Sequence, residues 1–170
     1  FVCVGIGPGS YTGIRIGVTL AKTLAFTLDI PLIGVGTLDA FVPENEGEFA
    51  AVIDAKIGGV YLQAGRLKNN VVESLMEPKA CSLAEAVELL QNIPVIVTPN
   101  ASKIQPKLEA LKPQKEWIWQ ESYPQVEQLI RIARVRMDEG KVADGQHLEL
   151  LYMRKTQAEI ERDLKKSVLS

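Results

Sequence analysis

Residues 5–17 read Gly5-Ile6-Gly7-Pro8-Gly9-Ser10-Tyr11-Thr12-Gly13-Ile14-Arg15-Ile16-Gly17, and the apolar run Phe1-Val2-Cys3-Val4 leads into them. A short apolar run that enters clustered glycines and then a Pro-free amphipathic stretch predicts strand, tight turn and helix. The expected elements are a strand Phe1–Val4, a turn Gly5–Gly9, a helix Tyr11–Leu28 with Ser10 or Thr12 as N-cap, and a strand Ile30–Val35. A short helix Thr37–Val42 follows and is stopped by Pro43. Strand–glycine–helix junctions of this kind can offer backbone N–H groups to phosphate. The spacing matches neither common phosphate signature. Ile14 and Arg15 stand where a Walker loop needs Lys and Ser or Thr, and Gly13 falls one position late for a dinucleotide fingerprint. A tight turn and a direct nucleotide contact both stay open at this point.

The helix carries a second signal. On a helical wheel, Arg15, Thr19, Lys22 and Thr23 share one arc, and apolar residues fill most of the rest. A helix resting on one sheet needs an apolar stripe of about 100°, and this one has about twice that. It should therefore be covered on two sides, by more of its own domain or by a partner. Gly13, Gly17, Ala21 and Ala25 stand at successive i+4 positions, a ridge low enough for another helix to approach closely. The stretch is too short, and too charged at Arg15 and Lys22, to span a membrane.

Outward from this block the chain is longer and differently patterned. Pro43 to Glu48 is polar and turn-rich and marks a boundary. Ala50–Ala55 and Val60–Leu67 read as strands joined at Lys56-Ile-Gly-Gly59, with the glycines supplying the hairpin turn. Val71–Met76 is a third strand. Ser82 caps a helix to Leu90 with Glu85 as a capping box. Pro94–Thr98 is a buried strand, Asn100–Leu111 a helix containing Pro106, and Trp117–Trp119 a short strand. Ser122 caps a last helix, whose apolar residues are Val126, Leu129, Ile130, Ala133 and Met137 and whose end is marked by Gly140. Residues 50–140 thus run β-β-β-α-β-α-β-α, and residues 1–42 run β-α-β-α, the rear half of the same unit. The division expected is 1–43 for the rear half of a first lobe, 44–142 for a second lobe and 143–170 for a polar tail.

Composition limits the function. The 170 residues are 46% apolar, which excludes disorder, and 19 Lys+Arg against 21 Asp+Glu give a net charge of −2, too balanced to grip nucleic acid unaided. Cys3 and Cys81 are far apart with no C-x-x-C, so neither a disulfide framework nor a zinc ribbon is expected. Two thiols and no signal-peptide pattern predict a cytoplasmic protein.

The Gly7–Gly17 block, Ala21-Lys22, Ile30-Pro-Leu-Ile-Gly-Val35 and Thr37-Leu38 closely resemble the bacterial TsaB (YeaZ) family, which takes part in making threonylcarbamoyladenosine in tRNA. Val52–Tyr61 resembles the hairpin opening that family's second lobe, and Tyr152-Met-Arg154 its C-terminal Tyr-Leu-Arg. The resemblance implies an α/β actin/Hsp70/sugar-kinase-like (ASKHA) duplicated fold with the first lobe incomplete at its N-terminus. Its opening β-β-β-α and first phosphate loop are missing from the pattern. With the opening strands gone, an unpaired sheet edge, lower stability and self-association are expected. Leu150 also replaces a proline common near the family's Tyr-Leu-Arg.

The related catalytic TsaD family, often labelled glycoprotease, carries a metal-binding H-x-x-x-H where Thr37 and Phe41 stand. Neither side chain replaces a neutral imidazole. The single His147 lies in the tail and reads as solvated. The resemblance therefore implies a non-catalytic scaffold subunit without catalytic, cofactor or metal residues of its own. It would bind a TsaD-type subunit through Gly13, Ile14, Gly17, Val18, Ala21 and Ala25. A TsaE-type ATPase is a further candidate partner, tRNA is reached through the complex, ATP is used by the complex, and the chain alone forms a homodimer.

The rival reading is a glycoprotease-like hydrolase or a small-molecule kinase of the same fold. Asp54 is either a metal-phosphate ligand or, the favoured reading, a strand-end residue serving turn amides. Glu44, Glu46 and Glu48 read as a solvated linker, and Ser10 has no nearby His to activate it. Trp117 and Trp119 read as packing residues, with base stacking the alternative. Arg131, Arg134, Arg136 and Lys141 read as a solvated face or a tRNA contact made within a complex.

Overall fold

A computed structural model of the chain describes residues 1–56, 59–142 and 148–153. Its elements are β1 (Val2–Gly5), α1 (Tyr11–Leu28), β2 (Leu32–Val35), a 3-10 turn (Leu38–Ala40), β3 (Gly47–Asp54), β4 (Gly59–Lys68) and β5 (Val71–Ser82). Then come α2 (Leu83–Leu89), β6 (Val95–Thr98), α3 (Ala101–Leu111), β7 (Ile118–Glu121) and α4 (Val126–Asp138). The strands form two sheets, a parallel pair β1-β2 and a five-stranded sheet ordered β5-β4-β3-β6-β7.

The small sheet shows why β1 and β2 lack a polar face. Successive side chains of a strand point to opposite faces. Val2, Val4 and Leu32 meet Ala21 and Ala25 of α1, while Cys3, Ile33 and Val35 meet Ala133, Leu129 and Ile132 of α4. Helices on both faces make parallel strands apolar throughout. The two strands differ at their edges: every residue of β2 is buried, whereas every residue of β1 is half-buried. Among the described residues, β1 pairs only with β2.

The larger sheet is built on β3, antiparallel to β4 and parallel to β6. Ala50 and Val52 face a core completed by α2, α3 and Trp117, and Phe49, Ala51 and Ile53 face a second core with Leu38 and Phe41. Phe41, one of the two positions where the resemblance to the TsaD family would place a histidine, is thus a fully buried packing residue. Between β4 and β5, Asn69 and Asn70 both have left-handed φ (50° and 59°) in a two-residue turn, the conformation whose twist suits a hairpin. Between β3 and β4 the left-handed residue among those described is Lys56 (φ 61°), not a glycine; Gly58 lies outside the described residues, and Gly59 is already paired in β4.

Other expectations shift for readable reasons. β5 continues to Ser82 through Pro78, which an edge strand tolerates because one side needs no donor. The Ser82 Oγ accepts the Glu85 N–H as an N-cap should, but the Glu85 carboxylate pairs with Lys79, so only half of the capping box forms. Ser122 does not cap α4; its hydroxyl donates to the Tyr123 carbonyl, and the N-cap is Gln125, whose N–H donates to Ala40 O at 2.8 Å. The inward face of α4 is Gln128, Leu129, Ile132 and Ala133, leaving Val126 and Met137 exposed. Read as the last element of the second unit, α4 packs instead on β1, β2 and the 3-10 turn. There the Arg136 guanidinium bonds Gly34 O.

Residues 148–153 form a strap across the β1–α1 junction. The Leu151 N–H donates to Ile6 O at 2.9 Å, and the Leu148 side chain joins the α1 core. Two glycines make room. A Cβ on Gly34 would lie 2.5 Å from Leu148 Cδ1 and 2.7 Å from Ile6 Cγ2. A Cβ on Gly7, whose φ is +109°, would lie 2.9 Å from Leu151 O. Gly7→Ala combines a disfavoured backbone with a backbone contact, and should cost about 1–3 kcal/mol. Urea denaturation should show a lower midpoint with an unchanged slope; an unchanged midpoint would contradict the strap geometry.

Candidate functional site

The Gly-rich turn does local work first. Ser10 is extended (φ −61°, ψ 117°), and its Oγ accepts the Gly13 N–H at 3.3 Å, capping α1. Asp29, in the left-handed region, closes the other end. The Ser10 hydroxyl thus serves as the N-cap of α1.

Behind the turn lies a cleft of about 460 Å³, lined by Ser10, Tyr11, Asp54, Lys56, Asn100 and Lys103. Asp54 Oδ1 accepts the Lys56 N–H at 3.0 Å, and the Asp54 N–H donates to Asn100 Oδ1 at 3.2 Å. Asp54 is therefore the turn-forming residue of the hairpin, and Asn100 ties that turn to the start of α3. The cleft holds two ammonium groups and one carboxylate, a balance of charge that favours an anion. Among the described residues, no group of three or more His, Cys, Asp or Glu converges. His147 lies outside the described residues.

Two acids at the start of β3 serve the neighbouring hairpin: Glu46, just before the strand, accepts the Asn69 N–H through Oε1, and Glu48, within it, pairs with Arg66. Trp117 and Trp119 form an edge-to-face pair at 6.3 Å. Their indole N–H groups donate to Leu90 O and Glu109 Oε1, so both are engaged in packing.

The outer face of α1 is the second candidate. Val18, Ala21 and Ala25 are buried at 4–5% exposure, within the chain's own core. That corrects their assignment to a partner surface. The small-residue ridge drifts round the helix, so Ala21 and Ala25 use their lack of bulk to seat α1 on β1 and β2. Ile14 is half-buried, with its Cδ1 against Gly7 and Gly9, and Gly17 sits beside Val4. Of the six expected interface residues only Gly13 is fully on the surface. The surface stripe beside it is Ile16, Leu20 and Leu24, exposed by 64%, 58% and 44%. Their i, i+4, i+8 spacing was readable from the sequence; which apolar arc faced inward was not.

Around α1 from this stripe, Arg15 lies between two rings. Its guanidinium carbon stands 4.0 Å from the Tyr11 ring centre and 5.8 Å from that of Tyr152, and its Nε donates to the Tyr152 hydroxyl at 2.8 Å. That hydrogen bond holds the Arg15 pKa above the ordinary arginine value. The clamp fastens the strap to α1, so the Tyr-Met of the C-terminal motif acts on the same junction as the glycines. Tyr152→Ala should speed exchange of the Leu151 amide severalfold, since an exposed cation–π contact contributes about 0.5–1 kcal/mol. Hydrogen exchange followed by NMR checks this, with the Ile96 amide as the unaffected reference.

A family model described as "TsaD: tRNA N6-adenosine threonylcarbamoyltransferase" matches residues 1–127. The "tRNA threonylcarbamoyladenosine biosynthesis protein TsaB" of Bacillus subtilis (strain 168) is 41% identical over 93 residues, 53% of this chain and 41% of that protein. The protein of the same description from Escherichia coli (strain K12) is 30% identical over 158 residues, 88% of this chain and 68% of that protein. The chain thus spans about two fifths of the first relative's length and about two thirds of the second's. Among solved structures, YeaZ from Pseudomonas aeruginosa superposes with a TM-score of 0.70 at 21% identity, over 88% of this chain and 73% of that one. At that identity the likeness is one of fold.

Proposed function

The chain belongs to the TsaB (YeaZ) family, and on that premise we propose that it is a non-catalytic scaffold subunit in the threonylcarbamoyladenosine modification of tRNA. It docks a TsaD-type catalytic subunit through the outer face of α1. The observation that carries this reading is the exposed stripe Ile16, Leu20 and Leu24 beside Gly13, on a helix whose other face is already satisfied. Apolar side chains aligned on one helix face, with a glycine that lets a backbone approach, suit a helix partner. With the partner absent, the same stripe serves a homodimer. ATP, tRNA and a TsaE-type ATPase belong in this reading to the assembled complex. Among the described residues, no helix is long and apolar enough to cross a membrane.

Two observations support the non-catalytic part. Phe41 packs in the core where a metal ligand would stand, and Ser10 and Asp54 are committed to capping and turn formation. The kinase or hydrolase alternative draws on the cleft with Lys56 and Lys103. It predicts turnover by the isolated chain with Mg-ATP or Zn²⁺.

The proposal separates surface from core by mutation. Leu20→Arg should leave the melting midpoint within a degree or two, because the side chain is largely exposed, and should weaken association with the TsaD-type subunit at least tenfold by calorimetry. Thr19→Arg, on the polar arc, should bind as the wild type does. Equal binding by all three proteins would remove α1 from the interface. Ala21→Arg is not a clean probe of the interface, because Ala21 is buried and the larger side chain overpacks the core at a cost of about 1–3 kcal/mol.

A further inference from the structure

Where the 3-10 turn meets the five-stranded sheet, a polar side chain enters an apolar face. Phe49, Ala51 and Ile53 of β3 pack there against Leu38 and Phe41. Gln63 of β4 reaches the same place, and its Nε2 donates to Asp39 Oδ1 at 2.8 Å. Asp39 Oδ2 stands 3.8 Å from the Arg136 guanidinium, which also bonds Gly34 O. A polar relay thus runs from β4 through the 3-10 turn and α4 to β2, and joins the two sheets.

Two independent observations at this joint point the same way. Gln63 Oε1 is buried, and among the described residues it is the one buried side-chain oxygen or nitrogen without a hydrogen-bond partner in the chain. Turning the amide over gives no relief, because it would set Oε1 against the Asp39 carboxylate, acceptor facing acceptor. A buried carbonyl oxygen without a donor is costly, and native folds nearly always supply one. The second observation is a cavity of about 10 Å³, in whose lining Gln63 and Asp39 are the polar side chains and Phe49, Ala51 and Val72 are among the apolar ones. One water needs about 10–15 Å³ of such space and two or more polar partners. The cavity shares no lining residue with the cleft behind the Gly-rich turn.

We propose that this cavity is a binding site for a single structural water. The water donates one hydrogen to Gln63 Oε1 and the other to the Asp39 carboxylate, which has lone pairs beyond the one taken by Nε2. Both polar side chains present acceptors here, so the ligand must bring two donors in the volume of one small molecule. A sodium or ammonium ion would also meet acceptors, but the Arg136 guanidinium already faces the one carboxylate and repels a second cation beside it. The water completes the relay and fixes the amide that ties β4 to the 3-10 turn.

The test is a crystal structure of the full chain at a resolution that shows ordered water, paired with one of Gln63→Met, which keeps the length of the side chain and removes its oxygen. The wild type should show one density peak about 2.5–3.0 Å from both Gln63 Oε1 and an Asp39 oxygen. In Gln63→Met the peak should be lost, and urea denaturation should show the folded-to-unfolded ratio reduced about tenfold as two hydrogen bonds disappear. A second readout needs no variant: in the wild type, NMR should show a nuclear Overhauser effect from long-lived water to the Gln63 side-chain amide protons. Absence of the peak and of the Overhauser effect in the wild type would overturn the proposal. So would a peak that persists in Gln63→Met, a folded ratio that rises when the oxygen is removed, or a denaturation midpoint that climbs with sodium or ammonium at constant ionic strength.

Discussion

Everything in the first part of the chain depends on how closely α1 lies against a sheet of only two strands. Ala21 and Ala25 permit that approach, and Val2, Val4 and Leu32 fill the space beneath them. A larger residue at either alanine would lift the helix and open the sheet to water. With so small a sheet, the core must be completed from elsewhere, and two distant segments do it. α4 covers the far face through Leu129, Ile132 and Ala133, and the strap adds Leu148 beside the helix. The two parts of the molecule are thereby joined by packing rather than by a linker alone, and the Gly-rich turn is held at their junction.

The turn's glycines acquire their meaning from that junction. A phosphate-binding reading treats Gly7 and Gly9 as exposed backbone donors. In the fold, Gly7 gives way to the carbonyl of Leu151 and Ile14 covers both glycines. Ser10 serves the helix and Asp54 serves the hairpin. The cleft between them persists as a shape, with Lys56 and Lys103 in its lining, but the groups that would act on a substrate are bonded to backbone.

How much of this the sequence carried depends on the range of the interaction. The span of α1 was legible to the residue, because its period and its start signal are local, although Ser10 and Thr12 were equal candidates for the cap that Ser10 forms. The order of strands and helices in residues 47–138 was legible for the same reason. The direction in which α1 faces was not, since a helix with two apolar arcs does not say which one meets its own sheet. Tertiary contacts decided it, and they moved Val18, Ala21 and Ala25 from surface to core. The partner of α4 was equally out of reach, because its residues alternate apolar and basic and the sheet it covers is about a hundred positions upstream in the chain. The Asn69-Asn70 turn is a local signal as well, since both residues tolerate the left-handed φ that the hairpin requires.

A subunit that lends a helix face to its partner is tested most directly at that face. Methyl-labelled protein, titrated with a TsaD-type subunit and followed by NMR, reports on Ile16, Leu20 and Leu24 separately from core methyls such as those of Val87 and Ile96. The account predicts that the three α1 methyls shift or broaden as complex forms while the core methyls keep their positions. Complex formation that leaves all three unchanged would contradict it.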